Sequence, residues 1–275
     1  MQSKKVGLLG CGTIGSQLAI AVDKGKVENA SIVSLFDINK SNMHALRSRL
    51  LNVPDSYSDF NEFISTNIDI VVEAASQDAI KRFCKEILQA GKDMIIMSVG
   101  ALADEAFLCE MLNIASKAKC KIYIPTGAIA GIDAIRSVKD LLESVTLTTT
   151  KNPKALAGAP FFETSKLKAE SIKEKLTVYE GSSSEVVKVF PANVNVAAVL
   201  SLAGVGFDKT KVRIVADPMA TTNQHEIVAT GSFGEIRINV NNVPSPGNPK
   251  TSFLAVLSAI ECLRSVCTDR MRIGS

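Results

Sequence analysis

The feature that most constrains this chain is a glycine-rich motif near its start, Gly10-Cys11-Gly12-Thr13-Ile14-Gly15. The motif follows an apolar run at Val6–Leu9 that is typical of a strand, and it precedes a stretch near 13–23 with helical spacing. In that context it indicates a strand–turn–helix unit that binds a dinucleotide. The first glycine permits the tight turn, the second lets backbone approach a pyrophosphate, and the third lets the helix pack on the strand.

A carboxylate completes this pattern. Asp37 closes the second strand-like run, Ser31–Phe36, where an acid accepts hydrogen bonds from the adenosine ribose. It would also repel a 2′-phosphate, so NAD is the favoured cofactor. Asn39 and Lys40 could turn toward such a phosphate, which makes NADP, or use of both cofactors, the alternative. We predict that the following residues bind NAD or NADP: Gly10, Gly12, Thr13, Ile14, Gly15 and Asp37.

Strand-like and helix-like stretches alternate over the first 125 residues. The predicted strands are Val6–Leu9, Ser31–Phe36, Ile68–Val72, Met94–Met97 and Lys121–Ile124, and the predicted helices lie near 13–23, 40–51, 78–90 and 104–118, the last with Asp104 as its N-cap. Such alternation predicts an α/β fold with a doubly wound parallel sheet of the Rossmann type.

The rhythm changes after Gly131 and predicts a second, α+β domain on an open mixed sheet. Its predicted strands are Val145–Thr150, Val212–Ala216, Glu226–Thr230 and Gly234–Asn242, and its helices are Ser183–Phe190 and Val194–Ala203. The proline-rich segment from Asn241 to Lys250 predicts an irregular loop, and a last helix, Thr251–Arg264, is expected to bury Leu254, Leu257 and Leu263. We therefore expect a cofactor domain at 1–126, a catalytic and dimerisation domain at 127–250, and a helix at 251–275 that returns to the first domain.

Composition excludes several classes of protein. Lys plus Arg number 31 and Asp plus Glu number 28, so the formal charge of +3 predicts no nucleic-acid partner. No apolar run approaches the roughly 18 residues of a membrane span, and the first five residues lead directly into a strand, so we expect a soluble, cytoplasmic protein without a signal peptide. The six cysteines contain no Cys-x-x-Cys pair and only two histidines accompany them, so the cysteines are expected to be structural and no metal site is predicted.

Small residues follow three of the predicted strands of the first domain. The segments are Glu73-Ala74-Ala75-Ser76, Ser98-Val99-Gly100-Ala101 and Gly127-Ala128-Ile129-Ala130-Gly131. Ligands of open α/β sheets bind beyond the carboxyl ends of the strands, so Ala75 and Ser98 are further candidates for cofactor binding. The alternative is that these segments are only tight turns between strands and helices.

These three segments also carry a resemblance to a family, the L-aspartate dehydrogenases, which covers nearly the whole chain. The later segments that share it are Ile132-Asp133-Ala134, Phe190–Ala198, Ala216-Asp217-Pro218, Asn223-Gln224-His225-Glu226 and Asn248-Pro249-Lys250-Thr251-Ser252. Departures are mild: Ala130 stands where many relatives have glycine, and Cys11 and Thr13 vary the glycine loop.

The resemblance implies oxidation of L-aspartate to iminoaspartate with NAD(P), an enzyme acting on CH–NH2 donors whose product feeds NAD biosynthesis or hydrolyses to oxaloacetate and ammonia. It implies that His225 is the active-site histidine, that Ala128 and Asn193 contact the nicotinamide side of the cofactor, and that the protein is a homodimer. A hand-over of iminoaspartate to a downstream enzyme is a further hypothesis.

The residues themselves favour the same histidine. His44 lies in a polar predicted helix and is expected to be a solvated surface residue, whereas His225 is expected in a polar turn that faces the substrate. Amine oxidation needs a neutral amine, and imidazole, with an ordinary pKa of about 6.5, is a suitable base. The alternative is a histidine that only anchors the turn.

A dicarboxylate substrate needs cationic or N–H partners. Lys250, followed by Thr251 at the expected helix start, is the leading candidate, and Lys151-Asn152 is a weaker one. The alternative is a solvated lysine on a capping loop. Asn195 and Asn223 are additional candidates for substrate binding.

Two other functions remain open at this point. One is a dihydrodipicolinate-reductase-like or semialdehyde-reducing oxidoreductase, although no cysteine of the second domain precedes Cys262 to act as a nucleophile. The other is a non-catalytic protein that senses NAD(H).

Overall fold

The computed structural model describes residues 3–165, 167–191, 194–246 and 248–268. They form two compact units. The first unit contains the described residues up to Pro125 together with those from Val256 onward, and the second runs from Thr126 to Ala255.

A six-stranded parallel sheet is the centre of the first unit. Its strands are β1 (Lys4–Leu9), β2 (Ala30–Phe36), β3 (Asp55–Tyr57), β4 (Ile70–Glu73), β5 (Asp93–Ile96) and β6 (Ile122–Tyr123), in the order β3-β2-β1-β4-β5-β6. The connecting helices are α1 (Thr13–Asp23), α2 (Lys40–Arg47), α3 (Phe60–Ser65), α4 (Gln77–Gln89) and α5 (Glu105–Ala118). This arrangement confirms the predicted doubly wound sheet.

Local signals account for most of these elements. All four residues of β4 are buried, as expected for a central parallel strand covered on both faces. Asp104 caps α5 by accepting a hydrogen bond from the Phe107 N–H at 3.1 Å, which confirms the predicted cap. The predicted helix 40–51 is shorter, because α2 ends at Arg47.

Two elements, β3 and α3, were not predicted from the sequence, and they are only three and six residues long. Tertiary packing holds them in place: the Phe60 ring stacks on Phe83 with centroids 4.1 Å apart and meets Phe36 edge-on at 5.6 Å. A cluster of rings drawn from three separate elements leaves no periodic pattern within the short segments themselves.

The second unit is built on a five-stranded mixed sheet. Its strands are β7 (Leu142–Lys151), β8 (Leu176–Ser182), β9 (Thr210–Ala216), β10 (Asn223–Gly231) and β11 (Gly234–Asn242), in the order β11-β10-β7-β9-β8. Strands β7 and β9 are parallel and the other neighbours are antiparallel. The helices are α6 (Ile132–Ser137), α7 (Pro153–Leu156), α8 (Pro160–Thr164), α9 (Ser183–Val189) and α10 (Val194–Ala203). The predicted α+β fold on an open mixed sheet is confirmed.

The proline-rich segment differs from its prediction. Instead of an irregular loop, β12 (Pro244–Ser245) pairs antiparallel with β13 (Asn248–Ser252). Proline has a φ compatible with extended chain, and short isolated strands tolerate its missing N–H.

Because β13 includes Thr251, the last helix, α11 (Phe253–Cys267), begins two residues later than predicted. Its buried positions include Val256, Ala259 and Leu263. Of the other two leucines that were expected to be buried, Leu254 is half-buried and Leu257 is 45% exposed. The prediction for Leu257 was therefore wrong, because the stripe that packs against the core lies one position away from it. No helix within the described ranges is long and apolar enough to cross a bilayer.

Candidate active site

The glycine motif forms the turn between β1 and α1. Gly10 has a φ of +99°, and a Cβ there would lie 2.7 Å from the backbone of Ala74. A Cβ on Gly15 would collide with the carbonyl oxygen of Gly10, so the third glycine lets α1 approach the turn. A Cβ on Gly12 would meet no atom within 4 Å, which means that the space beside the second glycine is open to a ligand.

The same turn presents the N-terminus of α1. Gly12 is the N-cap residue and has no side chain that caps the helix. The backbone N–H groups of the first turn, which includes Thr13 and Ile14, therefore receive no capping side chain and suit an external acceptor. Together with the partial positive charge of a helix N-terminus, these groups fit the pyrophosphate of a dinucleotide.

Asp37 directly follows β2 and is bonded to the glycine motif. Its Oδ2 accepts a hydrogen bond from the Cys11 N–H at 2.7 Å, and its Oδ1 accepts one from the Asn39 N–H at 2.7 Å. These two hydrogen bonds hold the carboxylate in a defined orientation, and because it is only half-buried it still meets solvent. This position suits a carboxylate that binds the ribose of a cofactor.

A cleft of about 440 Å³ adjoins Asp37. Lys40 and Arg82 line it, and the Arg82 guanidinium lies 4.9 Å from the centroid of the Phe83 ring. The volume lies within the range typical of ligand pockets. Lys40 was predicted as a possible partner of a 2′-phosphate. Arg82 was missed, because only the fold brings it to the same cleft.

A buried carboxylate ties together two predicted cofactor segments. Glu73, the last residue of β4, accepts hydrogen bonds at Oε1 from the Ala75 N–H (2.8 Å) and the Ser98 hydroxyl (2.7 Å). At Oε2 it accepts them from the N–H groups of Met97 (3.1 Å) and Ser98 (2.9 Å). Burial raises the pKa of Glu73, and these hydrogen bonds oppose that rise. Glu73 was predicted only as part of the segment Glu73-Ala74-Ala75-Ser76, and the role of its carboxylate was missed.

In the second unit, His225 lies inside β10 and not in a polar turn as predicted. It pairs with Thr149 of β7 and Val240 of β11, and its side chain is only 4% exposed. The ring Nδ1 lies 3.0 Å from the Thr149 hydroxyl oxygen. The prediction of a turn failed because β10 begins at Asn223, three residues before the predicted start at Glu226, where pairing with neighbouring strands extends it.

Burial and a nearby cation determine the charge of the His225 ring. They lower the pKa of His225 to about 3, burial being the larger cause and the charge of Lys151 the second. Burial likewise lowers the pKa of Lys151 to about 8. The imidazole is therefore neutral at neutral pH, and its pKa lies well below the near-neutral value expected from the sequence.

Polar contacts surround this part of the sheet. The amide nitrogen of Asn223 lies 3.4 Å from the Ser252 hydroxyl, and the amide of Asn242 donates to the carbonyl oxygen of Ala128 at 2.8 Å. Asn223 lies two residues before His225 along β10, so the two side chains project from the same face of the sheet. Asn242 on β11 is the direct cross-strand partner of Asn223 and therefore shares that face. Asn242 was predicted as the last residue of a strand, but its contact with Ala128 was missed.

The remaining candidates occupy different places. Asn195 is exposed in the first turn of α10, and Thr251 lies half-buried in β13 rather than at a helix start. The backbone of Lys250 is part of β13, while its side chain and the whole of Asn193 lie outside the described residues. His44 is exposed on α2, as predicted.

The cysteines and acidic residues form no metal centre in the part of the chain that the structure describes, where no group of three or more potential ligands occurs. All six cysteines are free thiols. Burial raises the pKa of Cys11, Cys84 and Cys262 to about 12, so these thiols remain protonated and unreactive.

Two family models match the chain in succession. The NAD-binding domain of homoserine dehydrogenase matches residues 10–125, which contain the glycine motif and Asp37. The C-terminal domain of aspartate dehydrogenase matches residues 133–266, which contain His225 and Lys151.

Whole-chain comparisons agree with these matches. L-aspartate dehydrogenase of Nitrosopumilus maritimus is 47% identical over 99% of this chain and 100% of its own length, and that of Methanosarcina barkeri is 46% identical over 98% and 99%. The crystal structure of aspartate dehydrogenase from Thermotoga maritima superposes with a TM-score of 0.78 at 28% identity, over the full length of both chains. These findings confirm the resemblance drawn from the sequence and the prediction of an NAD(P)-dependent amino acid dehydrogenase. The chain belongs to the L-aspartate dehydrogenase family.

Proposed function

We propose that this protein oxidises L-aspartate to iminoaspartate with NAD or NADP, and that iminoaspartate hydrolyses to oxaloacetate and ammonia. The observation that carries the proposal is the buried, neutral His225 beside the cationic Lys151, in the unit that matches the aspartate dehydrogenase C-terminal domain. A neutral imidazole next to a cation suits a substrate that carries a proton to be removed and carboxylates to be bound. We assign cofactor binding to the first unit and substrate binding to the second.

When bound, NAD or NADP would supply a nicotinamide ring able to accept a hydride from the substrate α-carbon. Before that step the substrate ammonium must lose a proton, and His225 is the proposed acceptor. If Nδ1–H donates to the Thr149 hydroxyl oxygen, the Nε2 lone pair is available for that proton. The two negative charges of aspartate beside the ring oppose the effect of Lys151 and raise the pKa of His225 from its low value. Once that proton has passed to solvent, the same nitrogen can direct water onto the imine carbon.

Residues of the first unit would hold the cofactor. The open space beside Gly12 and the N-terminus of α1 suit the pyrophosphate, and Asp37 suits the adenosine ribose. The segments at Ala75 and Ser98 are proposed to contact the nicotinamide side, as is Ala128 in the second unit.

The choice between NAD and NADP rests on opposing charges around one cleft. Asp37 repels a 2′-phosphate and favours NAD, while Lys40 and Arg82 line the same cleft and would attract one. We propose NAD as the preferred cofactor, with use of both as the alternative. Comparing kcat/KM for NAD and NADP at a fixed aspartate concentration distinguishes them.

Several finer points are proposed from family membership. They are a homodimer, a cytoplasmic location, a role in NAD biosynthesis and a hand-over of iminoaspartate to the enzyme that consumes it. Light scattering of the purified protein tests the dimer. A coupled assay that traps iminoaspartate before it hydrolyses tests the hand-over.

A substrate panel tests the proposed function. NADH formation is followed with L-aspartate, L-glutamate, L-asparagine and L-alanine, and NADH consumption with oxaloacetate plus ammonia and with a semialdehyde. We expect turnover with L-aspartate and with oxaloacetate plus ammonia. Turnover of the semialdehyde alone would favour a semialdehyde-type enzyme, and tight NADH binding without any turnover would favour a sensor.

A further inference from the structure

Lys151 shares a face of the second sheet with His225. Thr149 is paired in register with His225 and lies within hydrogen-bonding distance of its ring. Side chains alternate along a strand, so Lys151, two residues after Thr149 on β7, projects to the same face. Its charge acts on the His225 ring, which is independent evidence that the two side chains are near each other.

The position of Lys151 in the fold is fixed. β7 is the central strand of its sheet, and Lys151 is its last residue. Lys151 pairs with Ala216 on β9, and its carbonyl oxygen accepts a hydrogen bond from the Asp217 N–H at 2.9 Å. The residue is half-buried, and burial lowers the pKa of its ammonium group to about 8. A charge kept in so unfavourable a place is typical of a functional site.

We propose that the ammonium group of Lys151 binds one carboxylate of the dicarboxylate substrate beside the His225 ring. The inference rests on the proposed function and adds a substrate-binding residue to it. Lys250 remains a candidate for the other carboxylate. The pairing has a consequence for His225. Burial and, as the second cause, the Lys151 charge keep the imidazole neutral in the free protein, and a bound carboxylate offsets the Lys151 charge when the base is needed.

Three variants separate this role from others. Lys151→Met keeps the length of the side chain and removes its charge, Lys151→Arg keeps the charge, and Lys154→Met removes an exposed lysine nearby as a matched control. A charge-assisted hydrogen bond lost from the substrate raises KM for L-aspartate by about 10- to 100-fold. We expect that rise in Lys151→Met with a much smaller change in kcat, a partial return toward wild-type KM in Lys151→Arg, and no effect in Lys154→Met.

Two kinetic results would overturn the proposal. A wild-type KM in a folded Lys151→Met variant would mean that Lys151 binds no carboxylate. A kcat lost at saturating L-aspartate with KM unchanged would make Lys151 the proton acceptor instead. Melting temperatures of all three variants show whether the fold is intact, and Lys151→Arg supplies the comparison should Lys151→Met fail to fold.

Histidine NMR gives a readout that does not require turnover. The chain has only two histidines, and His44→Gln assigns the resonance of His225. At pH 7, where its carboxyl groups are ionised, we expect succinate, a dicarboxylate that cannot be oxidised at an amine, to shift the ring resonances of His225 in the wild-type protein and not in Lys151→Met. The variant alone should have a higher His225 pKa than the wild type, still below the ordinary value because burial is the larger cause of its shift.

The outcomes separate the two proposals. If the wild type responds to succinate through Lys151 but does not oxidise L-aspartate, the proposed function fails and the carboxylate site stands. If it oxidises L-aspartate while succinate at pH 7 leaves the ring resonances of His225 unchanged, the function stands and the role of Lys151 is refuted.

Discussion

Replacing Glu73 with glutamine tests how the first unit orders its cofactor segments. The amide keeps the shape of the side chain, but one oxygen becomes an NH2 group that donates. At the Oε2 position the NH2 group would face the N–H groups of Met97 and Ser98, and two buried donors would lose their acceptor. At the Oε1 position the NH2 group would face the Ala75 N–H and the Ser98 hydroxyl. The hydroxyl can rotate and accept a hydrogen bond from the NH2 group, so only the Ala75 N–H loses its acceptor. The NH2 group therefore prefers the Oε1 position.

The magnitude follows from that choice. The Ala75 N–H is only partly buried, so the loss of its acceptor costs less than the roughly 1–3 kcal/mol of a fully buried donor. Removing the buried charge recovers part of this cost, because burial opposes ionisation of Glu73. We expect the free energy of unfolding of Glu73→Gln to fall by about 1 kcal/mol and the Kd for NADH to rise, since the Ala75 segment loses its anchor.

Urea unfolding and NADH fluorescence titration measure the two quantities. Glu28→Gln, which neutralises an exposed glutamate of the same unit, is the matched control and should leave both at wild-type values. A Glu73→Gln protein as stable as the wild type, with the same Kd for NADH, would refute the interpretation of Glu73 as a clamp on these segments.

Three further predictions concern the two sites. Gly12→Val should abolish NAD binding in calorimetry while the melting temperature stays near wild type, because the new side chain enters open space and not the core; wild-type affinity in the folded variant would contradict this. Asp37→Ser should lower the ratio of kcat/KM for NAD to that for NADP, and an unchanged ratio would remove Asp37 from cofactor selection. His225 has a pKa of about 3 when folded and an ordinary value of about 6.5 when unfolded, so the unfolded chain takes up its proton first as the pH falls. The stability from the neutral ring is complete above pH 6.5 and is lost toward pH 3; between pH 6.5 and 5 the wild type should lose about 2 kcal/mol more than His225→Asn, as measured by urea unfolding.

Local patterns were sufficient to predict much of this protein. The glycine motif, the cap at Asp104 and the helical spacing of α4 and α5 all act within a few residues, so they can be recognised without the fold. The edge strand β8 carries no clean alternation of buried and exposed residues, and β3 is only three residues long, so both were missed.

The features of the site that were missed depend on contacts between distant residues. The partners of Glu73 at Met97 and Ser98 lie more than twenty residues away, just after the end of β5, and His225 meets Thr149 across 76 positions. The pKa of His225 depends on its burial and on the charge of Lys151, and neither is visible in the segment around the histidine. The chemistry of a residue type can be predicted from sequence, whereas its environment follows from the packed sheet.

The central claim is that His225 takes the proton of the L-aspartate ammonium group. The most direct test is kcat for wild type and His225→Ala at saturating L-aspartate and NAD, with the melting temperature of each measured alongside. The wild type should form NADH, and the variant should be slower by roughly 10²–10⁴-fold, the usual contribution of a general base, while NAD affinity remains unchanged. A stable His225→Ala protein that turns over L-aspartate within about threefold of the wild type would contradict the proposed role.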